Sequence, residues 1–150
     1  MIRVVVAGVV LGAASVALAH SGATGIVKER MEVMKEIGTE MKIIGGMFQG
    51  KVEFNAGRLE QAAGVISDHA AKIEKLFPQG SDHKPTRAML EVWKDKTGFD
   101  LLAKELVKAA QDLAVKAKEA KSAGDVKMEI IAVGANCKAC HKKFRAPEKE

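Results

Sequence analysis

Tyrosine is missing from this chain, and its other aromatic residues are one tryptophan and five phenylalanines. With so few rings there is no basic stripe interleaved with stacking side chains, so nucleic-acid binding has no sequence support. Prolines are scarce as well: Pro78, Pro85 and Pro147 stand where helices can end. Both cysteines fall in one short motif, Cys137 and Cys140, which excludes a disulfide framework, since that needs more cysteines at wider spacings. Beyond the N-terminal segment no apolar run approaches the ~20 residues of a membrane span, so the protein is not expected to be membrane-spanning.

The N-terminal segment has the layout of an export signal. Arg3 supplies a positive start, Val4 to Leu18 are apolar, and Ala17-Leu18-Ala19 ends in the small-x-small pattern of a cleavage site. Residues 1–19 are then targeting sequence, cleaved after Ala19. Residues 20–150 form one domain, delivered to the periplasm and long enough for a single core. Cleavage there leaves His20 at the new terminus, where amine and imidazole are copper donors without a third ligand in view. The formal net charge of +5 is modest. Most lysines alternate with glutamates, as on solvated helix faces.

What is abundant is helix-forming: alanine, lysine, glutamate, leucine and methionine. Four helical stretches emerge. The first runs from Thr24 to Phe48 with a seam at Val27, Met34, Ile37, Met41, Ile44 and Phe48, and Gly45, Gly46 and Gly50 loosen its end. Arg30 falls on that seam, and a core-facing arginine calls for an acidic partner. The second runs from Asn55 to Phe77 with Leu59, Ala63, Ile66, Ile73 and Phe77 inward, and stops at Pro78. After a polar loop to about Pro85, Thr86 caps a short helix carrying Met89, Val92 and Trp93. The third long helix runs from Phe99 to Lys121 with Leu102, Leu106, Ala109, Leu113 and Ala117 inward. Asp125 is placed to cap the fourth, Val126 to about Arg145, with Ile130, Val133, Cys137, Cys140 and Phe144 inward. Amphipathic helices, short connections and no strand signal predict an all-α, antiparallel up-down-up-down four-helix bundle.

Cys137-Lys138-Ala139-Cys140-His141 is the attachment signature of a c-type haem. Two thiols three residues apart on one helical face can each form a thioether to a vinyl group. The next residue, His141, then offers an imidazole nitrogen to the iron. One covalent haem c, with its iron, is therefore expected near the C-terminal helix. A thioredoxin-like redox pair belongs at the start of a helix after a strand, and this pair lies near a helix end. A structural zinc site lacks its second ligand pair.

The opposite axial position is read from helix depth. If the first and fourth helices are antiparallel neighbours, His141 lies about 7 Å from one end of the bundle and Met34 about 15 Å from it, close enough to flank one haem. Met41 lies a further ~10 Å away and Met31 off the seam. Met34 can also be plain core filler, and His69 is the other conceivable ligand. Arg30, one turn before Met34, is placed either to pair with a haem propionate or to form an ordinary salt bridge.

These residues resemble the class II c-type cytochromes, the cytochrome c′ superfamily, over about Gly25 to Arg145. The resemblance rests on the haem motif near the C-terminus, from Val133 to Arg145. It also rests on Arg30-Met31-Glu32-Val33-Met34-Lys35, and on Leu76-Phe77-Pro78 followed by Glu91-Val92-Trp93. The Met34 region is most similar to the low-spin cytochrome c-556 branch, which implies Met34 as sixth ligand. Arg145 matches a family arginine near the proximal face, and the resemblance implies homodimers through the first two helices.

A one-electron carrier follows, with His141 and Met34 as axial iron ligands and Arg30 and Arg145 beside the haem. Its partner would be a periplasmic or membrane-associated redox protein, steered by Lys138, Lys142, Lys143 and Arg145. The alternative is a five-coordinate protein binding NO or CO at an open distal site. With no acid–base group beside Met34, the protein is not expected to be an enzyme.

Overall fold

The computed structural model describes residues 22–147, so the export signal, its cleavage site and His20 lie outside the described residues. The helices are α1 (Gly25–Phe48), α2 (Ala56–Ala70), a short α3 (Glu91–Lys94), α4 (Lys96–Ala117) and α5 (Lys127–Phe144). The four long ones form the antiparallel up-down-up-down bundle, and the described residues contain no strand beyond an isolated bridge. None of these helices is long and apolar enough to cross a membrane.

α1 buries Val27, Arg30, Val33, Ile37, Ile44 and Met47. Val27, Ile37 and Ile44 of the expected seam are buried, and so is Arg30, whereas Met34 and Met41 are only half-buried and Phe48 is exposed. The cause is asymmetric packing. α1 lies broadly against α2 but touches α5 much less, so one side of it is thinly covered. Gly45 and Gly46 stay helical, and the chain turns instead at Gly50, whose φ of +67° suits glycine. A Cβ on Gly46 would press on Val52 at 3.3 Å.

Asn55 caps α2, its side-chain oxygen accepting from the Arg58 N–H at 2.8 Å. The predicted continuous helix to Phe77 breaks: α2 ends at Ala70 and one 3₁₀ turn, Ile73–Leu76, follows. That tighter winding brings Ile73, Leu76 and Phe77 all into the core before Pro78 ends the element. Thr86 is not a helix cap. Its hydroxyl accepts from the Ala88 N–H at 3.1 Å. The extended segment 87–89 then runs beside the end of α5, the Met89 N–H donating to the Phe144 carbonyl and the Ala146 N–H to the Arg87 carbonyl, both at 2.9 Å.

α4 starts earlier than Phe99 because Asp95 caps it, accepting from the Gly98 N–H at 3.0 Å. Asp125 stitches the preceding turn instead of capping α5, accepting from the Lys121 and Ser122 N–H groups at 2.9 Å each. Ile44, Leu59, Ile66, Leu113 and Val133 fill the bundle axis without exposure. At the end where α5 finishes, the core becomes aromatic. Phe77 meets Phe99 edge-on at 4.8 Å between centroids, and Phe99 meets Phe144 at 5.3 Å and 88°.

Candidate functional site

A cleft of about 440 Å³ opens above these aromatic rings, on the side where α1 and α5 approach each other least. Its floor is Phe77, Val92, Phe99 and Phe144. α1 contributes Arg30, Met31, Met34 and Lys35, α5 contributes Cys140 and His141, and Pro85 to Ala88 and Arg145 form the rim. The structure thus brings Arg30, Met34, Cys140, His141 and Arg145 to one cavity. Cys137 lies one turn earlier on α5, half-buried and packed against the core. His69 lies elsewhere: its Nε2 faces a Glu36 carboxylate oxygen at 2.7 Å, and it does not line the cleft.

Burial pushes the Cys137 thiol up, and it pushes Cys140 up to about 11, the neighbouring Cys137 adding to the shift and Arg145 opposing it. Redox-active pairs have depressed thiol values, and these two are shifted the other way. His141 is held below the ordinary imidazole range, first by burial and then by the Arg145 and Arg87 charges. It is therefore a neutral imidazole at pH 7, the form that can donate a lone pair to a metal.

Arg30 is 3 % exposed, and its guanidinium is satisfied by neutral groups. It donates to Ser81 Oγ at 3.1 Å and to the Ser81 carbonyl at 2.6 Å, and it lies 4.7 Å over the Phe77 ring. The expected carboxylate partner is replaced by a built turn. Ser81 Oγ and Trp93 Nε1 both donate to the Pro78 carbonyl, at 2.7 and 2.8 Å, which fixes the acceptors under the cation. Asp82 contributes only a longer-range field that opposes the lowering of the Arg30 pKa by burial. Sequence reasoning missed Ser81 because the partner lies 51 residues away in a polar loop. It missed Lys35 and Arg87 as cleft residues for the same reason: ordinary surface cations acquire that position only when the chain folds.

The donor set fits a haem c. An apolar floor suits the macrocycle, imidazole and thioether come from different helices, and half-buried thiols on one helical face suit two thioether bonds. Four basic residues and no carboxylate line the cleft, which suits two propionates. Among the described residues no three His, Cys, Asp or Glu side chains gather to hold a bare metal ion. Another depression, about 500 Å³ on the outer α4–α5 face, is lined by Glu105, Lys108, Asp112 and Met128 among others and holds none of the expected site residues.

Fold and site together define a helical-bundle protein carrying a c-type haem. The family model for cytochrome c′ matches residues 25–145, and the chain belongs to that family. It is 32 % identical over 142 residues to the cytochrome c′ of Rhodopseudomonas palustris, covering 94 % of this chain and 93 % of that one. It is 29 % identical over 123 residues to a cytochrome c-556 of Agrobacterium fabrum, covering 82 % of each. Among solved structures, the cytochrome c′ from Rhodopseudomonas palustris superimposes with a TM-score of 0.78 at 30 % identity, over 85 % of this chain and all of that one. The cytochrome c′ from Thermochromatium tepidum gives 0.74 at 31 %, over 81 % and 95 %. The cofactor is accordingly one covalent haem c with its iron.

Proposed function

We propose that this haem protein is a periplasmic one-electron carrier, with His141 and Met34 as the axial ligands, and that it is not an enzyme. The observation that carries the reading is that Met34 of α1 and His141 of α5 line the same cleft. When bound, the haem supplies a one-electron iron couple. The chain's own residues do the rest. Cys137 and Cys140 would tether the ring through their sulfurs. His141 offers a neutral nitrogen, and Met34 a neutral thioether that needs no proton in either oxidation state. Phe77, Phe99 and Phe144 give the cleft an apolar floor, and Arg30 and Arg145 are the cleft cations that would face the propionates. Cytochrome c-556 relatives support the low-spin reading, while relatives named cytochrome c′ keep NO or CO binding at an open distal position as the alternative.

Absorption spectra of ferric and ferrous holoprotein, with CO then added to the ferrous form, decide between the two. A low-spin spectrum with the weak ferric sulfur-to-iron band, unchanged by CO, is expected. Met34→Ala should abolish that band and admit CO. A high-spin wild type that binds CO readily would sink the carrier reading in favour of gas binding.

A further inference from the structure

Residues 78–85 are exposed, with one exception: Ser81 is buried. Pro78, Gln79, Gly80 and Ser81 form a tight turn, the Ser81 N–H reaching back to the Pro78 carbonyl at 3.3 Å. Gly80, third in that turn, has a φ of +79°, a position that calls for glycine. The same Pro78 carbonyl accepts from Ser81 Oγ and from Trp93 Nε1 of α3, at 2.7 and 2.8 Å. Three bonds to one oxygen thus fix the attitude of Ser81 within an otherwise open loop. Arg30 directs two of its five N–H groups to this residue, one to the hydroxyl and one to the carbonyl. Both acceptors are neutral. Among the described residues Arg30 forms no ion pair, and Asp82 acts on it only at longer range. A carboxylate partner would also have satisfied the guanidinium, but it would have cancelled its field. Held by neutral groups instead, the cation keeps its full charge in the cleft it lines, with three N–H groups left to donate.

We propose that the turn at residues 78–81 and Trp93 form a positioning device: they hold the Arg30 charge in the haem cleft, and that charge raises the reduction potential of the haem iron. The inference deepens the electron-carrier reading and rests on the placement of the haem in this cleft. Reduction adds one electron to the iron, so a nearby cation favours the ferrous form, whereas an anionic propionate favours the ferric one. Arg30 offsets the propionate, and its burial keeps solvent ions from screening the effect. Ser81 and Trp93 do not line the cleft, so they act through Arg30 and are positioning residues.

The test is potentiometric titration of the holoprotein, one electron per haem, with dithionite as reductant and ferricyanide as oxidant, alongside urea titration. Arg30→Gln should shift the one-electron equilibrium about tenfold toward the ferric form, a fall of about 59 mV. Ser81→Ala and Trp93→Phe should each shift it about threefold the same way. Ser81→Thr, which keeps the hydroxyl, should match wild type. In the Arg30→Gln background, Ser81→Ala and Trp93→Phe should move the potential no further, although both still lower stability through their lost bonds to Pro78. If Arg30→Gln takes up no haem, Arg30→Lys replaces it: one ammonium lacks the fork that spans both Ser81 acceptors, so its potential should fall and respond less to Ser81→Ala. Gly50→Ala, beyond the other end of α1, controls for lost stability alone and should keep the wild-type potential. An unchanged potential in Arg30→Gln or Ser81→Ala, equal effects of Ser81→Ala with and without Arg30, or a Gly50→Ala shift as large as that of Ser81→Ala would overturn the proposal. So would a shift accompanied by loss of an axial ligand, read from ferric and CO-difference spectra of each variant. The same spectra of the wild type test the carrier assignment, so its failure is distinguishable from a failure of the positioning device.

Discussion

A buried arginine without a carboxylate partner is the least ordinary residue in this protein. Arg30 keeps its charge because Ser81 presents a carbonyl and a hydroxyl, and because the Phe77 ring offers its negative face. Ser81 is itself 3 % exposed, so its substitution cannot be repaired by water at no cost. Ser81→Ala should lower stability by about 1–2 kcal/mol in urea titrations of the holoprotein, the range for leaving one buried donor short of a partner. A value near zero would mean that the Ser81 carbonyl alone satisfies Arg30. Gly50 makes a purely conformational prediction. Nothing lies within 4 Å of a Cβ built there, yet φ is +67°. Gly50→Ala should therefore cost about 1 kcal/mol through backbone strain alone, again read by urea titration.

Asp95 works at the scale of elements. It caps α4 through the Gly98 N–H and reaches Lys143 near the end of α5, so one carboxylate joins two helices beside the cleft. The Lys143 ammonium, and then the Gly98 N–H, hold its pKa below the usual carboxylate value. A depressed folded-state pKa contributes stability above the unfolded value, about 4, and the contribution is lost as pH falls through the folded one. Asp95→Asn retains a capping oxygen but not the charge. Its Tm should lie below that of wild type at pH 7, and the gap should close as pH drops below about 4. A gap of the same size at pH 3 would assign the effect to packing. Sequence patterns missed this cap. The third long helix was expected from Phe99, whereas the Asp95–Gly98 hydrogen bond draws its start back to Lys96. The second was expected to run unbroken to Phe77, and the 3₁₀ turn after Ala70 follows from fitting Ile73, Leu76 and Phe77 into one core.

At the scale of the whole molecule, the bundle is uneven. α2 with α4 and α4 with α5 are packed broadly, while α1 and α5 leave the cleft between them. A haem that fills this gap supplies contacts that no side chain provides. The haem-free chain should therefore stay helical but exchange amide hydrogens faster in the first half of α1 and in residues 78–89, with α2 and α4 least affected. Uniform protection with and without haem would show that the cleft is held open by the protein alone.

Much of this protein can be read directly from its residues. The period of apolar positions and the lack of any strand signal specify helices, because these are local backbone and amphipathicity effects. Cys137, Cys140 and His141 are legible because thioether tethering and the adjacent imidazole are contiguous in the chain. Tertiary structure decided what contiguity cannot carry. It left Met34 and Met41 half-buried and put Val33 and Met47 of α1 into the core. It replaced an expected acid with Ser81 beneath Arg30, exchanged Lys143 for Lys35 and Arg87 at the cleft mouth, and laid residues 87–89 along α5. Each depends on two segments meeting across the fold, and a pairing of that kind is set by packing the whole bundle rather than by the propensities of either segment.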